Sequence, residues 1–151
     1  RFLSRGHDSA SSLSAIRNLK KLPELNLCVH LMFGIPDETD TQIRETAEIL
    51  SEHEVDGVKL HNLHVLRNTP LEKLYHESRF APVELEEYSR KVTLFLENLS
   101  PKIAIHRLAA VASRWDELVA PEWVREKMRP TQFIDDYLAA KETWQGRFFE
   151  F

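Results

Sequence analysis

An α/β fold built on a parallel sheet is the architecture this sequence predicts, and two observations predict it. Short apolar runs alternate along the chain with segments of helical period. The order reads helix, strand, helix, strand, helices, strand, helices, which is the pattern of βαβ units joined by right-handed crossovers. Three strands are too few to close a (βα) barrel, so a barrel reading leaves only an arc of one.

The elements follow in order. Arg1 to Asp8 reads as the tail of a preceding helix running into a turn. A chain that opens on Arg, with no signal-like segment, is expected to begin mid-protein. Asp8-Ser9 is a helix N-cap, followed by Leu13, Ile16 and Leu19 at helical spacing. Lys20-Lys21 suit the helix dipole at its end, and Pro23 enforces the stop. Leu25 to Phe33 is a buried strand by its length and by the Gly34-Ile35-Pro36 that ends it. Thr39 and Gln42 form a capping box ahead of a helix with Ile43, Ala47 and Leu50 on its apolar stripe. Val55 to Val65 is the second strand, with Val58 and Leu60 alternating against Lys59 and His61. Pro70-Leu71 opens a short helix to about Tyr75, and Pro82 starts a longer one carrying Leu85, Tyr88, Val92, Phe95, Leu96 and Leu99. Pro101 breaks it, and Ile103 to His106 is the third strand. Beyond Ala112 the chain reads as mostly helical and Trp-rich, with a last helix from Phe133 to Trp144 ended by Gly146.

Composition narrows the function classes. The chain has 151 residues, enough for one domain with a sizeable core, and its 42% hydrophobic and 29% charged content is that of a globular protein. No stretch approaches the ~18 apolar residues of a membrane helix. Cys28 is the single cysteine, so no internal disulfide forms and a reducing cytoplasm is the expected compartment. A net charge of -4 gives no basic field, which argues against nucleic acid as a partner.

In parallel α/β folds, ligands bind at the carboxyl ends of strands. The Gly34 turn and the helix N-terminus behind it suit a ligand approaching the backbone, although a capped βα turn would look the same. Lys59 and His61 share one strand face and would point into a barrel. Either they contact a ligand, or Lys59 pairs with a carboxylate and His61 is a hydrogen-bonded core histidine. His30 and His106 sit similarly on their own strands. Together these histidines raise a zinc hydrolase alternative, and Lys59 a Schiff-base aldolase one, although no HxH or HExxH spacing supports the metal. Trp115, Trp123 and Trp144, with Phe133, Phe148, Phe149 and Phe151, either cover the end of the core or form a surface for a partner protein; neighbouring acidic residues oppose a nucleic-acid stacking platform.

Several segments, taken in order, resemble a known family. They are Arg5-Gly6-His7-Asp8, His30 to Thr39 (HLMFGIPDET), Val55 to His64 (VDGVKLHNLH), Thr69, Glu84-x-x-Glu87-Tyr88, His106-Arg107-Leu108 and Leu118 to Trp123. The set resembles the later part of a radical S-adenosylmethionine (radical SAM) protein. It looks closest to a functionally uncharacterised bacterial subfamily related to oxygen-independent coproporphyrinogen oxidase and the Elongator-type radical SAM proteins.

The resemblance implies an arc, the C-terminal part, of a partial parallel (βα) barrel with a helical C-terminal extension. Residues 1–112 would be the last βα units and residues 113–151 the extension. It implies S-adenosylmethionine and a [4Fe–4S] cluster as cofactors of the full-length enzyme, with an external electron donor, a deoxyadenosyl radical as hydrogen abstractor, and a substrate the sequence does not name. The family's CxxxCxxC loop is absent, so this chain is expected to hold no cluster and to be inactive alone. By the same resemblance, Met32, Phe33, Gly34 and Ile35 line the cofactor, and the backbone of Leu63, His64 and Val65 edges its adenine. Glu38 fixes its turn, while Asp37 stands where the family often has Gly. His30, Lys59 and His61 would face substrate. An arc also leaves the edge of its first strand unpaired, so self-association through that edge is expected.

Overall fold

The computed structural model describes Gly6, residues 8–112 and residues 114–150. The expected helix tail over Arg1 to Asp8 therefore lies outside the described residues, apart from Gly6 and Asp8, as does Phe151 of the aromatic tail.

Helix α1 (Ser9–Leu19) starts where Asp8 Oδ1 accepts the Ser11 N–H at 2.8 Å. Strand β1 (Cys28–Phe33) leads through the Gly34 turn into α2 (Asp40–Glu52). Thr39 and Gln42 cap α2 reciprocally, as the sequence predicts. Strand β2 (Gly57–Asn62) follows, then the two-residue β3 (Val65–Leu66), α3 (Pro70–His76), α4 (Leu85–Asn98) and β4 (Ala104–Arg107). The remainder holds β5 (Leu118–Ala120), flanked by short 3₁₀ turns, and α5 (Arg129–Ala140).

Strands β1, β2 and β4 form one sheet in that order, all parallel. Each step between neighbours passes through at least one helix, as parallel pairing requires. Val58 and Leu60 are fully buried on the face that α4 covers, together with Tyr88, Val92 and Phe95. Helices α2 and α5 pack against α4. The opposite face carries Lys59 and His61, both half-exposed. Strand β1 pairs with β2 alone, so its outer edge has no partner among the described residues.

The structure corrects five boundaries. The first strand begins at Cys28 and not Leu25, because Leu22 to Leu25 closes a turn (Leu25 N–H to Leu22 O, 3.1 Å) and Leu25 stays exposed. The run from Val55 to Val65 is two strands: the chain turns at Leu63-His64, and Val65–Leu66 leaves the parallel sheet to pair antiparallel with β5. Helix α4 begins at Leu85, after an extended Glu84, and not at Pro82. The region after Ala112 contains a strand and two 3₁₀ turns besides its helix. That helix is Arg129–Ala140 and not Phe133–Trp144, since the backbone leaves helical geometry at Glu142 (φ 50°).

Among the described residues no helix is long and apolar enough to cross a membrane.

Candidate functional site

Three segments meet at the carboxyl ends of β1 and β2. The first is the turn after β1. Gly34 has φ +81°, a backbone region that favours glycine, and a Cβ there would lie 2.6 Å from Val83 Cγ2. Packing against Val83 thus accounts for the glycine. Asp37 also adopts a positive φ (64°), which fits a position where the family resemblance places Gly. Glu38 closes the turn: its Oε2 accepts the Gly34 N–H at 3.0 Å and lies 3.4 Å from Lys91 Nζ on α4. Lys91 also donates to the Glu38 carbonyl at 3.1 Å. Burial pushes the Glu38 carboxyl above its ordinary pKa, and the Gly34 N–H and Lys91 only partly oppose it. Glu38 thus ties the Gly34 N–H to Lys91 of α4. A cleft of about 330 Å³ opens between this turn and α2, lined by Phe33, Ile35, Pro36 and Asp37 among others.

The second segment is the face of β1 and β2 turned away from α4. Register pairs His30 with Lys59 and Met32 with His61. The rings of His30 and His61 stack with centroids 5.2 Å apart. Phe33 points the other way and is buried against Phe95 (5.1 Å), so only its backbone reaches the carboxyl-end surface. Leu63 is buried, and its N–H donates to the Phe33 carbonyl at 3.1 Å, locking the corner after β2 to the end of β1. His64 sits half-buried in that corner and Val65 is buried in the β3–β5 pair. Burial holds the His64 pKa below its ordinary value.

The third segment, β4, supplies a residue the sequence reading did not single out as functional. The register between β2 and β4 shifts, so that Val58 pairs with Ile105 but Lys59 pairs with Arg107. Arg107 Nη2 lies 2.5 Å from His61 Nε2 and 3.2 Å from Nδ1. His106 instead packs over Gly57, where a Cβ would lie 2.5 Å from its Nε2. The His61 pKa falls to about 4, first through burial and then through the positive charge of Arg107, with His30, His64 and Lys59 adding to it. Among the described residues no group of three His, Cys, Asp or Glu side chains could hold a metal ion, so His30, His61 and His106 do not assemble the zinc site considered above.

A cleft of about 680 Å³ lies at the opposite end, beside Val55-Asp56 ahead of β2 and Lys102-Ile103 ahead of β4. That is the amino end of the strands, away from where such folds place their chemistry. The tryptophans divide: Trp123 is buried, donates to the Val83 carbonyl at 3.1 Å and lies against Tyr88, whereas Trp144 is 61% exposed beside Arg147.

Comparison with known proteins agrees with this arrangement. The protein MJ0486 of Methanocaldococcus jannaschii is 34% identical over 148 residues, covering 97% of this chain and 46% of that protein. YhcC of Escherichia coli K12 is 32% identical over 136 residues (90% of this chain, 43% of YhcC). YtqA of Bacillus subtilis 168 is 27% identical over 148 residues (98% and 45%). The chain thus spans slightly less than half the length of these relatives, which include a Methanocaldococcus protein as well as bacterial ones. Among solved structures, the Elp3 of the archaeon Methanocaldococcus infernus, lacking its N-terminal residues 1–46, superposes with a TM-score of 0.77. It is 19% identical, with 94% of this chain and 33% of that one covered, so the likeness is one of fold. The radical SAM C-terminal domain model matches residues 55–140, more than half of the chain, and runs from β2 to the end of α5. This chain belongs to the radical SAM C-terminal domain family.

Proposed function

We propose that the chain is the distal wall of a radical SAM enzyme. Residues 1–112 would supply the last βα units of a partial barrel, and residues 113–151 the extension packed on them. The observation that supports this reading most is the coincidence, at one end of one sheet, of the Glu38-closed turn, the Leu63–Val65 corner and the face of exposed His30 and half-exposed Lys59 and His61. On this reading the last face lines the barrel lumen and meets substrate. The kinship to oxygen-independent coproporphyrinogen oxidase, as well as to Elongator-type proteins, belongs to the same proposal, as do a cytoplasmic setting, an external electron donor and self-association through the β1 edge.

The two cofactors fare differently against these residues. A [4Fe–4S] cluster is held by several thiolates, and Cys28, half-buried at the start of β1, is the single cysteine. The described residues do not fit a cluster, which other parts of a complete enzyme would have to hold. S-Adenosylmethionine fits one wall: the thioether of Met32, the backbone of Phe33 to Ile35 and the corner Leu63 to Val65 would lie along it. With a reduced cluster held elsewhere in the complete enzyme, the bound cofactor would supply radical hydrogen-abstraction chemistry. Glu38 positions the turn, and His30, Lys59 and His61 orient the substrate.

The test uses protein expressed with all coding sequence that flanks this chain, reconstituted with iron and sulfide and reduced without oxygen. Release of deoxyadenosine from S-adenosylmethionine is expected. Protein that takes up no iron, or loads iron and releases none, overturns the proposal.

A further inference from the structure

The face that carries Lys59 and His61 also carries positive charge that no carboxylate among the described residues pairs with. Lys59 and Arg107 are register partners on β2 and β4. Among the described residues neither forms an ion pair with a carboxylate. Other basic residues here are matched: Lys91 by Glu38 and Glu87, Arg90 by Asp40 and Glu87, Arg114 by Glu117. The guanidinium of Arg107 is poorly used. Its Nη2 meets the imidazole of His61, and its buried Nε has no acceptor among the described residues. A buried N–H without a partner is costly, and a guanidinium is shaped to grip two oxygens of one anion. His30 stacks on His61 at the exposed edge of this row, so the row is open to a ligand.

We propose that the row of His30, Lys59, His61 and Arg107 seats an anionic group of the substrate, a carboxylate or a phosphate, gripped by Arg107 and Lys59 over the stacked imidazoles. The inference rests on the substrate-facing role proposed above for this face, and names the class of substrate it takes. An anion there accepts from the terminal nitrogens of Arg107 and from Lys59, and offsets the mutual repulsion of the two cations.

The test is a titration of the chain with inorganic phosphate and, in parallel, with acetate, read by NMR of the histidine Cε1–H groups. Saturable shifts of His61 and His30 are expected, with His53 and His76, which lie off this face, unmoved. Arg107→Gln is expected to weaken binding about tenfold, the scale of one charge-assisted hydrogen bond. Lys59→Met, at a half-exposed position, is expected to weaken it as well and keeps the test open if the first variant misfolds. No saturable shift, or equal binding by both folded variants, overturns the proposal. Repeating the titration on the cluster-loaded complete protein with S-adenosylmethionine present separates two sources of anion. Phosphate binding that persists supports a substrate group; binding abolished by the cofactor assigns the row to the cofactor's own carboxylate and overturns the substrate assignment. Deoxyadenosine release is scored separately. Release without anion binding sinks this inference alone, and anion binding without release sinks the enzyme reading while the anion site stands.

Discussion

Two polar clusters lie within a few residues of the same strand ends, and they are built on opposite rules. In the first, Glu38 and Lys91 are almost wholly enclosed, with side chains 12% and 7% exposed. Every strong donor there has an acceptor: the carboxylate takes the Gly34 N–H and the ammonium, and the ammonium also reaches the Glu38 carbonyl. In the second, Lys59, His61 and Arg107 are half-exposed, the cations Lys59 and Arg107 are register partners, and Arg107 Nε has no partner among the described residues. Burial makes polar groups expensive, so a cluster that only holds the fold must satisfy its members. A cluster left unsatisfied near the surface costs stability for no structural return. That is the signature expected where a ligand completes the set.

The sharpest way to break this contrast is to remove one partner from the satisfied cluster. Lys91→Met leaves the Glu38 carboxylate enclosed without its cation, and is expected to destabilise the chain by about 3–5 kcal/mol, read from the denaturant midpoint. The pH dependence fixes the cause. Burial already holds the Glu38 pKa above its ordinary 4.5, and losing Lys91 raises it further. A carboxyl with a raised folded-state pKa gains relative stability below its unfolded value and loses it as pH rises through the folded one. The deficit of the variant should therefore shrink on acidification toward pH 4.5 and below. A loss under about 1 kcal/mol, typical of an exposed pair, would mean that the two clusters do not differ in kind.

A smaller effect probes the turn that the first cluster holds. Gly34→Ala must accept φ +81° and a Cβ 2.6 Å from Val83 Cγ2. The expected cost is about 1–3 kcal/mol. Combined with Val83→Ala, the steric part should be recovered and the backbone part should remain, so the double variant should lose less than the sum of the two single losses. Full additivity would show that Val83 yields freely and that the turn is less rigid than its hydrogen bonds imply.

How much of this was legible in the sequence follows from range. The caps at Asp8 and Thr39 are local chemistry within three or four residues, and both hold in the structure. The alternation of Val58 and Leu60 against Lys59 and His61 correctly sorted the two faces of β2, because its period is local too. The family resemblance drew attention to Glu38 and its turn, but its partner Lys91 was not legible. The two lie 53 residues apart, and α4 reads as an ordinary amphipathic helix. Strands of two and three residues, β3 and β5, are too short to show alternation, so the antiparallel pair was missed. Arg107 was hidden by a one-residue register shift. Simple alternation from Ile103 groups Arg107 with Ile105 on the core face, whereas the shift at Val58/Lys59 sets it opposite Lys59.

The smallest effect on stability is expected from the second cluster, and its smallness is the point. Arg107→Gln removes a cation that sits opposite Lys59, along with a buried Nε that has no acceptor among the described residues. Stability at neutral pH should change by less than about 0.5 kcal/mol, or rise, as it does where binding has been favoured over stability. The same substitution should move His61 measurably. Its pKa of about 4 is set first by burial and next by the charge of Arg107, so without the guanidinium it should climb partway back toward 6.5. The sign in acid follows. A histidine whose folded-state pKa is depressed binds its proton in the unfolded chain first, so stability is complete above pH 6.5 and declines as pH falls toward 4. Raising the folded value narrows that window, and the variant should lose less stability than the parent between pH 6.5 and 4. NMR titration of the His61 ring gives the pKa, and paired denaturation curves across that range give the slope. If Arg107→Gln instead destabilises the neutral protein by several kcal/mol, the guanidinium is holding the sheet together, and the distinction between a satisfied scaffold and an unsatisfied seat is lost.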